Sequence, residues 1–461
     1  MMDFLVIDLT LLALFIIFIS LFLHTRRKNL KKEGFLILYK ANWGIKLINH
    51  VGNTYKKTLK VLSYVSIGTG YILMAGMIYF AYMIVKIYIF RPDVVSMIRV
   101  PPIMPLVPYV DKLVPGLPSF NFTYWIIVLA IIAITHEFAH GIFAAYNKIK
   151  IKKTGFGFFP FFLPIFLAAF VELDEKRMAK KSKFSQMAIL SAGTFANVIT
   201  AILFFIILLI FFATAFSPSG IVFDSYTYSA IGLAEINSIN GIQVNNITFG
   251  EIKNYVDKED LTKIEGKNKN YFVNMEILEL QNPPNGTVIF YDDAPAINQG
   301  LIPEKDIIAK LNGVNIKNLR EEILKYSPGD KVVFGIKDGK NIYDKEIVLG
   351  EYPGQKGLPW IGIGFSNENA RSGILGKAYD KLSSFKQSHV NYESKLGSFG
   401  DFIYLLLWWI ILISVSVALV NMLPVGIFDG GRFFYLTILG LTKNDKFAKK
   451  TFSLVTYFFL A

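Results

Sequence analysis

The segment ITHEFAHG, residues 134–141, places His136, Glu137 and His140 within five positions of an otherwise apolar run. On a helix, positions i and i+4 project from one face, so two imidazoles can meet one metal ion. Glu137, one position around, stands where it can take a proton from water held at that metal. The chemistry this suggests is metal-assisted hydrolysis. An unpaired carboxylate inside a bilayer costs several kcal/mol, so three ionisable groups in such a run argue for a use.

A catalytic zinc takes three protein ligands and keeps one position open. The chain has no cysteine, which leaves His, Asp or Glu for the third. His24 and His50 belong to basic flanks and His389 to a distant polar region. The other candidate stretch is NMLPVGIFDGG, residues 421–431, where Pro424 and Gly426 interrupt a helix ahead of Asp429. By residue type Asp429 is either a ligand or part of an Asp-Gly turn that ends a helix. Asn197, in GTFAN, is by residue type an interhelical hydrogen-bonder.

Positioning these residues requires a membrane. The 461 residues are 53% hydrophobic and 18% charged, too apolar for an ordinary soluble chain. Five runs approach the roughly 20 residues of a spanning helix: Phe4–Leu23, Val61–Val85, Tyr124–Ala145, Met187–Phe216 and Phe402–Val420. The closing TFSLVTYFFLA has the character of half a further helix, for about six transmembrane helices in a polytopic α-helical protein. The net charge of +13 comes from Lys and Arg beside these runs, as in TRRKNLKK, KKTLK, KIKIKK and RMAKKSK. Such flanks meet anionic lipid headgroups, so the expected partner is the lipid bilayer and not nucleic acid.

Charge asymmetry sets the expected topology: N-terminus outside, residues 25–60 in the cytoplasm and 217–400 outside. Counting from Tyr124, His136 then lies roughly 18 Å into a layer about 30 Å thick, toward the cytoplasmic face. GFGFFPFFLPIFLAAF, residues 155–170, lies between two basic patches on one side, which predicts a re-entrant or interfacial element.

The expected organisation is 1–120 for the first helices and outer loop, with 121–216 and 401–461 as two parts of a membrane catalytic core. Residues 217–290 and 291–370 are expected as two β-rich modules, followed by a connector at 371–400. SAIGLAEINSINGIQV (229–244) and PAINQGLIPEKDIIAKLNGVNI (295–316) form a faint repeat, each with Asn-Gly between two strand-like runs. Asp338-Gly339 marks another hairpin. The pattern resembles PDZ domains of the kind attached to membrane-associated proteases.

HEFAH followed at a distance by NMLPVGIFDGG resembles the site-2 protease family of intramembrane zinc metalloproteases. That resemblance covers about residues 124–435. It implies His136, His140 and Asp429 as Zn2+ ligands, Glu137 as the general base, and a membrane-embedded β element where 155–170 lies. It implies membrane-anchored protein substrates, cut at the cytoplasmic side of the membrane, and PDZ-like modules on the extracytoplasmic side as filters. The family's Gly-Pro-x-x-Asn is matched here by GTFAN, so Asn197 carries over as a substrate or oxyanion contact, while Thr194 stands where the family has proline. Two other readings are an ion-coupled transporter and a catalytically silent scaffold that binds transmembrane helices. The sequence shows no repeat between its membrane halves, which disfavours the transporter, and the full motif set disfavours the scaffold.

Overall fold

The five apolar runs each become one helix in the computed structural model, which describes residues 4–33, 36–92, 95, 107–112, 118–158, 167–281, 286–339, 341–365 and 373–460. The chain divides into two compact units, one built from 1–212 and 401–461, the other from 213–400. In chain order the first contains α1 (Phe4–Thr25), β1 (Leu30–Glu33), β2 (Leu36–Ala41), α2 (Ile45–Thr54), α3 (Lys56–Phe90), α4 (Phe122–Tyr146), β3 (Ile151–Phe158), β4 (Leu167–Leu173), α5 (Lys183–Ala215), α6 (Ser398–Asn421), α7 (Asp429–Thr442) and α8 (Asp445–Leu460).

Helices α1, α3, α4, α5 and α6 are long and apolar enough to cross a membrane. The expected sixth span is not among the described residues. With 14 and 16 residues, α7 and α8 reach about 21 and 24 Å, short of a hydrocarbon layer of about 30 Å. Helix α4 buries one face: Trp125, Val128, Ile132, His136 and His140 are buried along it at three- and four-residue spacing.

The start of α4 is held by its neighbours. The first backbone N–H groups of a helix have no partner within it, and Asn121 at the N-cap makes no side-chain cap. Asp8 of α1 takes that role, its carboxylate accepting from Phe122 N at 2.8 Å and Thr123 N at 2.9 Å. The Tyr109 hydroxyl donates to the same carboxylate at 2.6 Å. From the other side Trp409 of α6 donates to Ser119 O at 3.1 Å and packs its ring 4.4 Å from that of Phe120. An acid inside a spanning helix is thereby fully hydrogen-bonded, and the helix that carries HEFAH begins at a defined point.

Strands β1, β2, β3 and β4 form one antiparallel sheet in that order. Residues 30–41, expected as plain cytoplasmic chain, therefore supply two strands. KIKIKK, expected as a charged flank, runs into β3; its Lys/Ile alternation is a strand period as well as a basic patch. Of the predicted re-entrant element, residues 159–166 lie outside the described residues, and its two ends are the antiparallel strands β3 and β4. A side chain at Gly155 would stand 1.8 Å from Tyr39 O, so glycine is needed for β2 and β3 to pair there.

The second unit holds two six-stranded sheets. Each contains the same succession. Ile236–Ile239 turns through Asn240-Gly241 into Ile242–Gln243, then a short helix and the hairpin Thr262–Gly266/Asn270–Val273. Ile307–Leu311 turns through Asn312-Gly313 into Val314–Asn315, then a short helix and the hairpin Lys331–Asp338/Asn341–Val348. Both Asn-Gly pairs have positive φ, at 50° and 78° in the first and 47° and 81° in the second, as a two-residue hairpin turn demands. The expected boundaries differ in one respect. Strand Phe216–Val222 pairs with Ile307–Leu311 and with Val390–Ser394, so the second sheet takes its strands from both ends of the insertion, and part of the expected connector is strand.

Replacing Asp8 with Leu removes a charged acceptor shared by two helix N–H groups. The expected loss is about 2–3 kcal/mol, read as an earlier midpoint in detergent-denaturation titrations followed by tryptophan fluorescence. An unchanged midpoint would show that α4 starts without it.

Candidate metal centre

The i, i+4 spacing on α4 brings the Nε2 atoms of His136 and His140 to 3.0 Å, with the rings near perpendicular at 75°. Helix α7 adds Asp429 at its first residue, where the helix dipole favours a carboxylate. Its Oδ2 lies 3.2 Å from His140 Nε2 and 3.6 Å from His136 Nε2. These three residues, one ligand atom each within 4.8 Å of the others, are the group among the described residues able to hold a metal.

The separations test the fit. A tetrahedral zinc with bonds of about 2.0–2.1 Å spaces its ligand atoms by about 3.3 Å. The three observed separations bracket that value. Two imidazoles and a carboxylate are a donor set that leaves zinc one open position. His24, His50 and His389 take no part in this group.

Asp429 begins a helix and does not end one, which resolves the alternatives for it in favour of a position beside the histidines. The DGG sequence makes this possible. A Cβ on Gly430 would lie 2.3 Å from the carbonyl carbon of Met422, and one on Gly431 would lie 2.3 Å from Val425 O. The turn after α6 therefore folds back against the first turn of α7, an approach that a side chain at either position would block.

Helix α5 covers the other side of the two rings, through three residues spaced by four. Ile189 O lies 2.7 Å from His140 Nδ1, and Asn197 Nδ2 lies 3.1 Å from His136 Nδ1. Between them comes Gly193. A Cβ there would stand 2.4 Å from His140 Nε2 and 2.6 Å from His136 Nε2, close to where an ion bound to both would sit. Thr194 donates to Ser191 O at 2.9 Å within α5. Ser191 and Ser66 bring their hydroxyls to 2.6 Å, tying α5 to α3.

Glu137 Oε2 accepts from Val171 N at 2.9 Å, and Val171 belongs to β4, the end strand of the four-stranded sheet. The carboxylate is thus tied to a sheet edge beside the metal group. Sequence reasoning missed Gly193, Val171 and Asp8. An acid four residues into an apolar span was a visible signal for Asp8. For Gly193 the only signal was its place in GTFAN.

The model of peptidase family M50 matches residues 124–461, a range that takes in α5, α7 and all but the first two residues of α4, with every residue of the group. Among curated proteins, none matches the chain.

Gly193→Ala is expected to empty the centre without unfolding the chain. Elemental analysis should give about one zinc per wild-type chain and close to none in the variant. Full zinc content in Gly193→Ala would mean that the ion sits elsewhere.

Proposed function

The chain belongs to peptidase family M50, the site-2 protease family of zinc metallopeptidases, and from that premise we propose that it hydrolyses peptide bonds within or near the transmembrane helices of membrane-anchored proteins. The observation that carries this reading is the meeting of His136, His140 and Asp429 between helices apolar enough to span a membrane. These three residues would hold the zinc. When bound, zinc activates water and polarises a peptide carbonyl. Glu137 takes the proton of the attacking water and returns it to the leaving amine. Asn197 lends an amide N–H to the oxyanion that forms.

A substrate helix hides its peptide bonds inside its own hydrogen-bond ladder, so it must unwind before it is cut. The free side of β4 offers a row of backbone groups to which an unwound segment adds as a further strand, next to Glu137. Zinc and base lie toward the cytoplasmic side of the cell membrane. The β-rich unit at 213–400 is extracytoplasmic, and its two PDZ-like sheets filter substrates by the size of the ectodomain or by recognising a newly cut end. The Asn-Gly hairpins and the repeated strand order support that kinship.

In liposomes, wild-type protein should cleave a single-span substrate carrying Gly or Asn in its helix, and should cut a span rebuilt from uninterrupted Leu and Ala at least about tenfold more slowly. Glu137→Gln should retain zinc and lose about 100-fold or more in rate. Cleavage surviving that substitution would sink the assignment.

Removing residues 217–395 and joining the ends with a short flexible linker should leave catalysis intact and broaden the range of ectodomains accepted. Cleavage of a substrate panel with ectodomains of graded size checks this, and an unchanged preference would reject the filter.

A further inference from the structure

Both ligand histidines turn their second ring nitrogen toward α5, but what they meet there differs in chemistry. Ile189 presents a carbonyl, which only accepts, so His140 carries its proton on Nδ1 and offers Nε2 as a lone pair. That is the form a metal ligand needs. His136 Nδ1 instead meets Nδ2 of Asn197, an atom that only donates. His136 needs the same arrangement if its Nε2 is to be a lone pair, and of the two ends of the Asn197 amide only the oxygen can accept from Nδ1–H.

The second polar atom of the amide points the same way. Asn197 is fully buried, and its Oδ1 has no hydrogen-bond partner among the described residues. A buried acceptor left unpaired is costly. Turning the amide over exchanges its two ends. Oδ1 then meets His136 Nδ1 and can only accept from it, which leaves the lone pair at Nε2. Nδ2 takes the position that had no partner, where it can donate to a substrate carbonyl.

We infer that Asn197 is a positioning residue for the metal centre, its amide oxygen accepting from His136 Nδ1–H and thereby fixing His136 in the tautomer that presents Nε2. The inference rests on the metal group proposed above and goes beyond it, since it assigns Asn197 to the ligand as well as to the substrate. It also separates this residue from a simple interhelical tie, because a tie needs one hydrogen bond of either polarity whereas the ligand needs an acceptor.

Zinc affinity, measured by competition with a chromogenic chelator, and the visible spectrum of the Co2+-substituted protein provide readouts independent of cleavage. Asn197→Asp offers an oxygen to His136 Nδ1 in either orientation, so it should bind zinc as tightly as wild type or more so and keep a tetrahedral Co2+ spectrum. Asn197→Leu fills similar space with no acceptor, and should bind about 10–100-fold more weakly. Wild-type affinity in Asn197→Leu would overturn the inference, as would an Asn197→Asp variant as weak as the leucine one. A His136→Ala control that binds zinc like wild type, or wild-type protein without zinc, would instead overturn the metal group itself.

Discussion

Hydrocarbon does not tolerate a lone ionisable side chain, and the membrane-spanning unit is arranged around that constraint. Its buried ionisable groups are answered from other elements. The histidines of α4 face Asp429 of α7, and the far side of each ring faces α5. Glu137 is answered by a backbone N–H of β4, and Asp8 of α1 by the exposed N–H groups of α4 itself. The penalty for separating them, several kcal/mol per buried charge, is what makes the helices assemble in one register and not merely aggregate through apolar contact. Lipid supplies no hydrophobic drive between helices, so these polar contacts carry specificity that packing alone would not.

A second requirement is closeness. Three glycines let backbone or ring atoms approach to distances that any Cβ would forbid: Gly193 against the two imidazoles, Gly430 and Gly431 against the turn that follows α6. Helix α5 offers no ligand atom to the metal group, yet it determines how much space that group encloses and which nitrogen of each ring is free. The sheet serves the same end for Glu137. Lys40 of β2 pairs with Glu172 of β4 at 2.8 Å, one residue from the N–H that holds the base.

Much of this was legible in the sequence because it depends on local spacing. The i, i+4 histidines, the five apolar runs and the Asn-Gly turns are short-range patterns with one physical meaning each. Asp429 needed more, since an Asp-Gly pair is common and only the fold-back permitted by the following glycines places its carboxylate beside the rings. What stayed hidden depends on non-local pairing. LKKE is too short and too charged to announce a strand, and it becomes one because LILYKA pairs with it on one side and with β3 on the other. Gly193 looks like any helix glycine until α4 is laid against it. Strand Phe216–Val222 lies next to the first β-rich module in sequence but pairs within the second sheet, a choice set by partners about 90 and 170 residues away.

That last pairing bears on how a metal group can be divided by so long an insertion. Asp429 is separated from His140 by nearly 300 residues, most of them in the unit at 213–400. As a flexible loop, about 180 inserted residues would raise the closure cost by about 3 kcal/mol over a short turn. The insertion does not behave as a loop. Its first strand, Phe216–Val222, runs antiparallel to its last, Val390–Ser394, with Phe216 opposite Ser394, and Lys395 N donates to Ala215 O at 2.8 Å. The chain thus leaves and re-enters at adjacent residues, and once the unit has folded the junction is as short as a hairpin. Folding of the insertion therefore removes most of the entropic penalty that Asp429 would otherwise meet in reaching the histidines. Two β-rich modules can then be carried between the halves of a membrane site without loosening it.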